Sequence, residues 1–316
     1  MNPARTSHAS PPPRIGLALG GGSARGWSHI GVIRALEEAG VKPDLVCGTS
    51  IGALVGAAYV DGELDRLERW VRGLKLQTVV SFLDFSLGSG LIKGEKLMAF
   101  FREHFVDRDI RELARPFGAV ATDLQYGREV WLRAGPVTDA VRASIALPGL
   151  FTPALHEGRW LVDGGLVNPV PVSLCRAMGA ELVIAVDLNT DLLGRHLKPK
   201  PARSTRTRKA VEPESLTETV MARIQDGLAQ LGLNHDDGPR PPAMLDVLAT
   251  SINIMQVLIT RSRLAGGPAD VLIAPRLAEL ELMDFHRADV AIAAGHQAVA
   301  TALQQLQTSI DGARNS

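Results

Sequence analysis

The sequence predicts an α/β fold with a mostly parallel central sheet. Residues 15–19 form a compact apolar run that leads through a glycine cluster into a helical pattern. Residues 44–47 begin the same order of strand, glycine-rich loop and helix a second time. This repeated order is typical of parallel strands joined by crossover helices. Residues 181–187 form another apolar run after a predicted helix at 171–178, and they fit a further buried parallel strand.

Composition limits the class of protein and its partners. The chain has 316 residues, 46% of them hydrophobic, which is enough to bury a sizeable core. Lys and Arg together number 34, as do Asp and Glu, so the formal net charge is zero and no overall field attracts nucleic acid. Aromatic residues make up only 4% of the chain, which is few for a base-stacking surface. We therefore expect no nucleic-acid partner.

No stretch of the sequence has the pattern of a signal peptide or a membrane-spanning helix. Residues 1–13 are polar and proline-rich, which predicts a disordered tail. The longest apolar run, residues 51–60, is too short to cross a bilayer. Cys47 and Cys175 lie in apolar stretches without metal-binding spacing. We expect a cytoplasmic protein in which both thiols are reduced.

The remaining elements follow in chain order. Ile30, Ile33 and Leu36 recur at helical spacing, which predicts a helix over 27–39 that ends at Gly40. The next predicted elements are a helix at 51–59, strands at 117–122 and 129–133 joined by a turn at Gly127, a helix at 138–146, and a short strand at 160–162.

A polar insertion interrupts this pattern in the last third of the chain. Residues 191–213 are rich in Lys, Arg, Pro and Ser and almost free of apolar residues, which predicts a loop. A helix at 214–231 and a second loop at 234–242 complete the insertion, which spans residues 191–242. The pattern then resumes with a helix at 243–264, a strand at 271–273 and a closing helix at 286–306, which leaves residues 309–316 as a tail. We predict one domain over residues 14–308.

Ser50 is the candidate nucleophile. It lies in the motif Gly48-x-Ser50-x-Gly52, directly after a predicted strand and before a predicted helix. A sharp strand-to-helix turn holds a serine in a strained conformation, and flanking glycines remove side chains that would clash there. The following helix N-terminus presents free N–H groups and the positive end of its dipole. A helix cap with glycines for close packing is the alternative for this motif taken alone.

A second glycine-rich turn favours acyl transfer. Gly20, Gly21 and Gly22 follow the first predicted strand and precede Arg25 and Gly26. Ligands bind at the carboxyl edge of parallel strands, where such a turn can supply backbone donors to an oxyanion. A dinucleotide site is the rival interpretation. That site needs an acidic residue at the end of the second strand, where this chain has glycine, threonine and serine instead.

Two candidates exist for the base that would activate Ser50. Asp187 with His286 would complete a triad in the usual chain order of α/β-hydrolases. His286 lies beside a helical pattern, however, rather than in a loop after a strand. Asp163 ends a predicted strand and precedes two glycines, so its carboxylate could meet the serine directly, although Asp-Gly is also a common turn. Spacing alone leaves both candidates open.

Three motifs taken together resemble those of the patatin-like phospholipase family. In chain order they are Gly20-x-Gly22-x-x-Arg25-Gly26, Gly48-x-Ser50-x-Gly52 and Asp163-Gly164-Gly165. Residues 142–149 and 168–171 are similar to the bacterial subgroup related to RssA and to the catalytic domain of neuropathy target esterase. The resemblance is close over residues 14–190 and looser over 243–300. It implies a patatin-like three-layer α/β/α sandwich.

The resemblance also implies a chemistry. Ser50 would be the nucleophile and Asp163 the general base of a catalytic dyad that hydrolyses acyl esters of phospholipids or lysophospholipids, without a metal or another cofactor. A non-catalytic binding or regulatory protein on the same fold is the alternative. The implied oxyanion loop contains Gly20, Gly21, Gly22, Arg25 and Gly26, and the other motif glycines are Gly48, Gly52, Gly164 and Gly165.

Two stretches are candidates for contact with lipid. Between Arg195 and Lys209 seven residues are basic and none is acidic. Each such charge near an anionic membrane contributes about 1 kcal/mol, so this stretch is either a solvated loop or a site of peripheral contact with the inner membrane face. The second candidate is an apolar flap over the pocket, or else ordinary core, formed by Phe82, Phe85, Leu87 and Leu91.

Overall fold

A computed structural model describes residues 12–81, 94–104, 108–191 and 244–314 of the chain. Within these residues, eight strands form one mixed sheet. The strands are β1 Ile15–Leu19, β2 Leu45–Thr49, β3 Phe117–Asp123, β4 Glu129–Leu132, β5 Ala154–His156, β6 Arg159–Asp163, β7 Leu182–Val186 and β8 Val271–Ile273. Their order is β5-β6-β3-β2-β1-β7-β8, and β4 pairs with β3 outside this path.

Helices of the described part cover the sheet. They are α1 Ser28–Glu38, α2 Ile51–Val60, α3 Leu64–Arg72, α4 Leu76–Ser81, α5 Glu95–His104, α6 Val137–Ser144, α7 Val172–Ala177, α8 Met244–Gly266 and α9 Ala288–Arg314. Short 3-10 turns span Ser23–Trp27, Ile110–Glu112 and Gly164–Leu166.

The strands separate two hydrophobic cores. Leu17 and Leu19 of β1 belong to a large cluster with residues of α1, α2 and α9. Ala18, between them, belongs to a second cluster that includes Leu174 and Cys175 of α7. Successive residues of a strand point to opposite faces of a sheet, so helices lie on both faces. This arrangement confirms the predicted three-layer α/β/α sandwich.

The centre of the sheet is parallel and one side is antiparallel. β1 pairs in parallel with β2 and β7, and the parallel pairing continues to β3 and β8. Of these strands, the sequence predicts β1, β2 and β7 to be parallel, whereas it leaves the orientation of β3 and β8 open. The antiparallel pairs are β3 with β4, β3 with β6, and β5 with β6.

Two strands share one edge of β3. Val120 of β3 is paired with Thr49, the last residue of β2, and the next residue, Ala121, is paired with Asp163, the last residue of β6. β4 pairs with Val120 and Ala121 from the other edge. β2 and β6 therefore run toward each other along the same edge of β3, and their last residues, Thr49 and Asp163, pair with consecutive residues of β3.

Two features of the fold differ from the sequence prediction. We expected a tail from residue 309, but α9 continues to Arg314. Ile310 and Ala313 extend the apolar stripe of this helix and pack against the large core, which is why the helix does not stop. The sequence also gave no sign of β5, whose three residues gain their structure by pairing with β6.

Several predicted segments lie outside the described residues. They are residues 1–11 of the predicted tail, the insertion at 192–242 with its helix at 214–231 and its basic stretch at 195–209, and the apolar stretch at 82–91. Cys47 and Cys175 are buried free thiols. Among the described helices, none has the length and apolarity needed to cross a membrane.

Candidate active site

Ser50 forms the whole turn between β2 and α2. Its backbone has φ 56° and ψ −127°, in a region that non-glycine residues rarely adopt. Such a conformation costs on the order of 1–3 kcal/mol and persists only where its surroundings enforce it. The Ser50 N–H donates to Ser144 Oγ at 2.8 Å, and Ser144 Oγ donates in turn to the Val120 carbonyl at 2.6 Å. α6 thus ties the strained turn to β3.

The glycines around Ser50 permit close backbone contact. A Cβ atom at Gly52 would lie 2.2 Å from the carbonyl oxygen of Leu19, at the end of β1. A Cβ atom at Gly48 would lie 2.4 Å from the backbone of Ala53. Only glycine therefore lets the first turn of α2 lie directly against the carboxyl ends of β1 and β2, as the motif predicts.

Asp163 lies opposite Ser50 at the end of β6. Ser50 Oγ donates a hydrogen bond to Asp163 Oδ2 at 2.6 Å, and the Gly165 N–H donates to Asp163 Oδ1 at 2.7 Å. Gly164, between these two residues, lies so close to β3 that a Cβ atom there would be 2.2 Å from the Val120 carbonyl oxygen. The Asp-Gly-Gly motif therefore fixes the carboxylate against the strand edge rather than forming a plain surface turn.

Burial controls the acidity of Asp163. The residue is 1% exposed. Desolvation raises the pKa of its carboxyl from 3.8 to about 6, and the hydrogen bonds from Ser50 and Gly165 act in the opposite direction. The group is still mostly ionised at neutral pH, yet it is more basic than an ordinary aspartate. Both properties suit a general base.

The glycine loop after β1 offers two unpaired donors beside Ser50. The Gly20 N–H donates to the Val186 carbonyl at 3.0 Å and the Gly21 N–H donates to the Pro169 carbonyl at 2.9 Å, so neither is free. The N–H groups of Gly22 and Ser23 donate to no partner among the described residues. Both residues line the same cavity as Ser50 and Asp163. The N–H groups of Gly22 and Ser23 are therefore the candidate oxyanion donors of this loop.

Arg25 lies beneath this loop rather than in the cavity. It is 1% exposed, its Nε donates to the Gly22 carbonyl at 3.1 Å, and one terminal nitrogen donates to Asn253 Oδ1 of α8 at 3.4 Å. Burial lowers the pKa of Arg25 to about 10, against the charges of Asp191 and Asp187, so it remains a cation at neutral pH. A Cβ atom at the neighbouring Gly26 would overlap the side chain of Ile51.

The alternative triad of Ser50, Asp187 and His286 is not assembled. Asp187 accepts hydrogen bonds from the Asn189 N–H at 3.0 Å and from Thr190 Oγ1 at 2.8 Å. The Asp187 carboxylate therefore stabilises the turn that follows β7. Within the described part of the chain, neither Asp187 nor Ser50 forms a hydrogen bond with His286, and the hydroxyl of Ser50 is directed to Asp163.

An apolar cavity opens onto Ser50 and Asp163. Asn253 and Gln256 of α8 are buried polar residues in its lining. A Cβ atom at Gly165 would lie 2.4 Å from Gln256 Nε2, so the glycine leaves room for this side chain. Within the described ranges, no group of three or more His, Cys, Asp or Glu residues is placed to hold a metal ion. The apolar lining includes Leu54, Trp70, Leu97, Leu147, Phe151 and Met283.

The sequence does not single out Ser144, Asn253 and Gln256, although all three contact Ser50 or line its cavity. Ser144 lies at the end of α6, and Asn253 and Gln256 lie in a helix that begins after the polar insertion. Their roles depend on tertiary packing, which periodicity does not report.

Comparison with known proteins agrees with the motifs. The family model of patatin-like phospholipases matches residues 17–176. Uncharacterized NTE family proteins of Mycobacterium bovis and Mycobacterium tuberculosis are each 34% identical over 337 residues, covering 95% of this chain and 94% of theirs. The human patatin-like phospholipase domain-containing protein 6 is 37% identical over 184 residues, which cover 56% of this chain and 13% of that protein.

A solved structure is also similar. VipD from Legionella pneumophila aligns with a TM-score of 0.49 and 14% identity, covering 95% of this chain and 68% of that one. The family match extends over about half of the chain and includes all three motifs. On the family match and the two mycobacterial relatives, the chain belongs to the patatin-like phospholipase family.

Proposed function

We propose that this chain is a serine acyl-ester hydrolase that acts on phospholipid or lysophospholipid esters, with Ser50 as nucleophile and Asp163 as general base. The observation that carries the proposal is the 2.6 Å hydrogen bond from Ser50 Oγ to Asp163 Oδ2, made from a strained strand-to-helix turn. Membership of a family of lipid acyl hydrolases supports it.

The first half of the reaction forms an acyl-enzyme. Asp163 Oδ2 takes the proton of Ser50 Oγ as this oxygen bonds to the ester carbonyl carbon. The carbonyl oxygen becomes negatively charged and accepts hydrogen bonds from the Gly22 and Ser23 N–H groups. The C–O bond to the alcohol then breaks, and the departing oxygen takes the proton from Asp163. The acyl group is left on Ser50.

The second half releases the acid. A water molecule gives its proton to Asp163 as its oxygen bonds to the acyl carbon, and the same backbone donors hold the second oxyanion. The bond between the acyl carbon and Ser50 Oγ breaks, and the serine recovers its proton from Asp163. A carboxyl pKa near 6 suits a group that accepts and returns a proton in each half.

The apolar cavity supports a lipid acyl group as the substrate part next to Ser50. Hydrocarbon chains gain about 0.8 kcal/mol for each methylene that leaves water, so a wall of leucine and aromatic side chains favours them. We further propose that the protein works in the cytoplasm at the inner membrane face, with the basic residues 195–209 in contact with anionic head groups.

Labelling with a fluorophosphonate probe tests the activity, because only an activated serine reacts with it. We expect wild-type protein to be labelled at Ser50 and to hydrolyse a short-chain ester. Ser50→Ala should lose both, while Ser262→Ala, an exposed serine of α8, should keep both. Absence of labelling in folded wild-type protein would favour the non-catalytic binding protein instead.

The membrane contact has its own test. Co-sedimentation with vesicles should be stronger with anionic than with neutral phospholipid, and replacing the seven basic residues between 195 and 209 by glutamine should remove the difference. Equal sedimentation of wild-type protein with both vesicle types would contradict this part of the proposal.

A further inference from the structure

Each carbonyl of the Gly20–Gly22 run is held by a different buried side chain. His29 Nε2 lies 2.7 Å from the Gly20 oxygen, Asn189 Nδ2 donates to the Gly21 oxygen at 3.1 Å, and Arg25 Nε donates to the Gly22 oxygen at 3.1 Å. His29 and Asn189 have no exposed surface, and Arg25 is 1% exposed. The loop is therefore fixed from beneath at three successive peptides.

Holding a carbonyl also orients the next N–H group. A trans peptide is planar, so the carbonyl of one residue and the N–H of the next point in opposite directions from one rigid unit. The bond from Asn189 to the Gly21 oxygen consequently sets the direction of the Gly22 N–H. Glycine peptides rotate easily, since no Cβ restricts them. If this peptide rotated, the donor would turn away from Ser50.

Asn189 is held in a position from which its side chain bonds the Gly21 carbonyl. Its backbone N–H donates to Asp187 Oδ1 at 3.0 Å, which holds the residue in the turn after β7. Its Oδ1 is buried and has no partner among the described residues. A buried acceptor without a partner costs about 1–3 kcal/mol. The amide group therefore has a single side-chain bond in the described structure, the one to the Gly21 carbonyl, despite this cost.

We propose that Asn189 is a positioning residue for the oxyanion site. Its side-chain N–H holds the Gly21–Gly22 peptide so that the Gly22 N–H faces the cavity beside Ser50. The inference rests on the proposed function, because it assigns a role within that reaction. An oxyanion donor contributes on the order of 10²–10³ in rate, and loss of its orientation through another residue should cost about tenfold to a hundredfold.

Two substitutions test the role. Asn189→Asp keeps the shape but removes the donor, and its charge repels the Gly21 oxygen; Asn189→Ala removes the side chain. In both, kcat should fall about tenfold to a hundredfold, while KM stays within about threefold. Binding of a trifluoromethyl ketone, which forms an oxyanion on Ser50, should weaken by the same factor as kcat.

Thr190→Val is the matched control. It removes another hydrogen bond to Asp187 in the same turn but leaves the Asn189 side chain in place. An equal loss of kcat in Thr190→Val would show that only the turn matters and would overturn the proposal. A change in KM with kcat unchanged in the Asn189 variants would overturn it as well.

A crystal structure of the wild-type phosphonate adduct does not depend on how the variants fold. The phosphoryl oxygen should accept from the Gly22 N–H, with Asn189 Nδ2 still on the Gly21 oxygen. An adduct in which the Gly22 N–H points elsewhere would overturn the inference even if the enzyme is active. Failure of wild-type protein to label at Ser50 would instead overturn the proposed function and this inference together.

Discussion

Ser50 and Asp163 are hydrogen-bonded because two strands end at neighbouring positions on one edge of β3. Thr49, just before the serine, is paired with Val120, and Asp163 is paired with Ala121. The 2.6 Å separation between Ser50 Oγ and Asp163 Oδ2 therefore follows from backbone pairing rather than from the conformation of a long loop. A site built on paired strands holds its groups in place before substrate arrives.

Replacing Asp163 by asparagine should lower the activity and raise the stability of the protein. Loss of a general base costs typically 10²–10⁴ in rate, so Asp163→Asn should be nearly inactive. The asparagine oxygen can still accept from the Gly165 N–H, and its amide can donate to Ser50. The neutral side chain avoids the burial of a charge, so the variant should be more stable than wild type at pH 8.

The stability gain should depend on pH. In wild type the carboxyl pKa is raised from 3.8 to about 6 on folding, so stability is lost as pH rises through this interval, by about 3 kcal/mol in all. The difference in unfolding free energy between Asp163→Asn and wild type should therefore grow from pH 4 to pH 7. Denaturant unfolding at several pH values measures it, and a difference that stays constant with pH would contradict the buried carboxylate.

Activity should be lost at acidic pH because Asp163 becomes protonated. Protonated Asp163 cannot accept the serine proton, so kcat/KM should fall about tenfold per pH unit below its pKa of about 6 and level off above it. His29 should not contribute, because burial lowers its pKa to about 4. A profile from pH 5 to 9 measures this, and a limb that disappears in His286→Ala would instead favour a histidine base.

Gly164 should tolerate no side chain. A Cβ atom there would lie 2.2 Å from the Val120 carbonyl oxygen, which is backbone and cannot move aside. Gly164→Ala should lower the free energy of unfolding by about 1–3 kcal/mol and displace Asp163, with loss of activity. Gly266→Ala is the control, because nothing lies within 4 Å of a Cβ atom at the end of α8. Equal thermal stability of the two variants would count against the close approach.

Ser144 should matter although it does not touch the cavity. Its hydroxyl connects the Ser50 N–H to the Val120 carbonyl, so Ser144→Ala leaves both groups without this partner and should cost about 1–3 kcal/mol of stability. Release of the strained turn should also lower kcat more than it raises KM. Ser262→Ala, an exposed position, serves as the reference in both measurements.

The sequence predicts the central strands, the serine motif and the glycine loop, because local signals specify them. Glycines must flank Ser50, where α2 meets β1, and apolar runs mark the parallel strands. The meeting of Ser50 with Asp163 depends instead on the register of β6 along β3. Register is a property of the assembled sheet, so spacing left Asp163 and the pair of Asp187 and His286 as open alternatives.

The sequence is equally unable to identify the oxyanion donors of the glycine loop. The composition of this loop predicts a donor site, but the sequence cannot say which N–H groups remain free. That depends on the carbonyls of Val186 and Pro169, which occupy the Gly20 and Gly21 donors and come from distant parts of the chain. The assignment of Gly22 and Ser23 therefore required tertiary structure.

The cavity wall should select acyl length. Leu147 lines the cavity that opens onto Ser50, and Leu147→Trp fills part of this cavity. Each methylene in an apolar pocket is worth about 1–3 kcal/mol of discrimination, so the ratio of kcat/KM for long-chain over short-chain nitrophenyl esters should fall at least about tenfold. Leu155→Trp, at a 63% exposed position on β5, should leave this ratio unchanged. If Leu147→Trp slowed both esters equally, the cavity would not be the acyl site, because a filled acyl pocket must penalise the longer chain more.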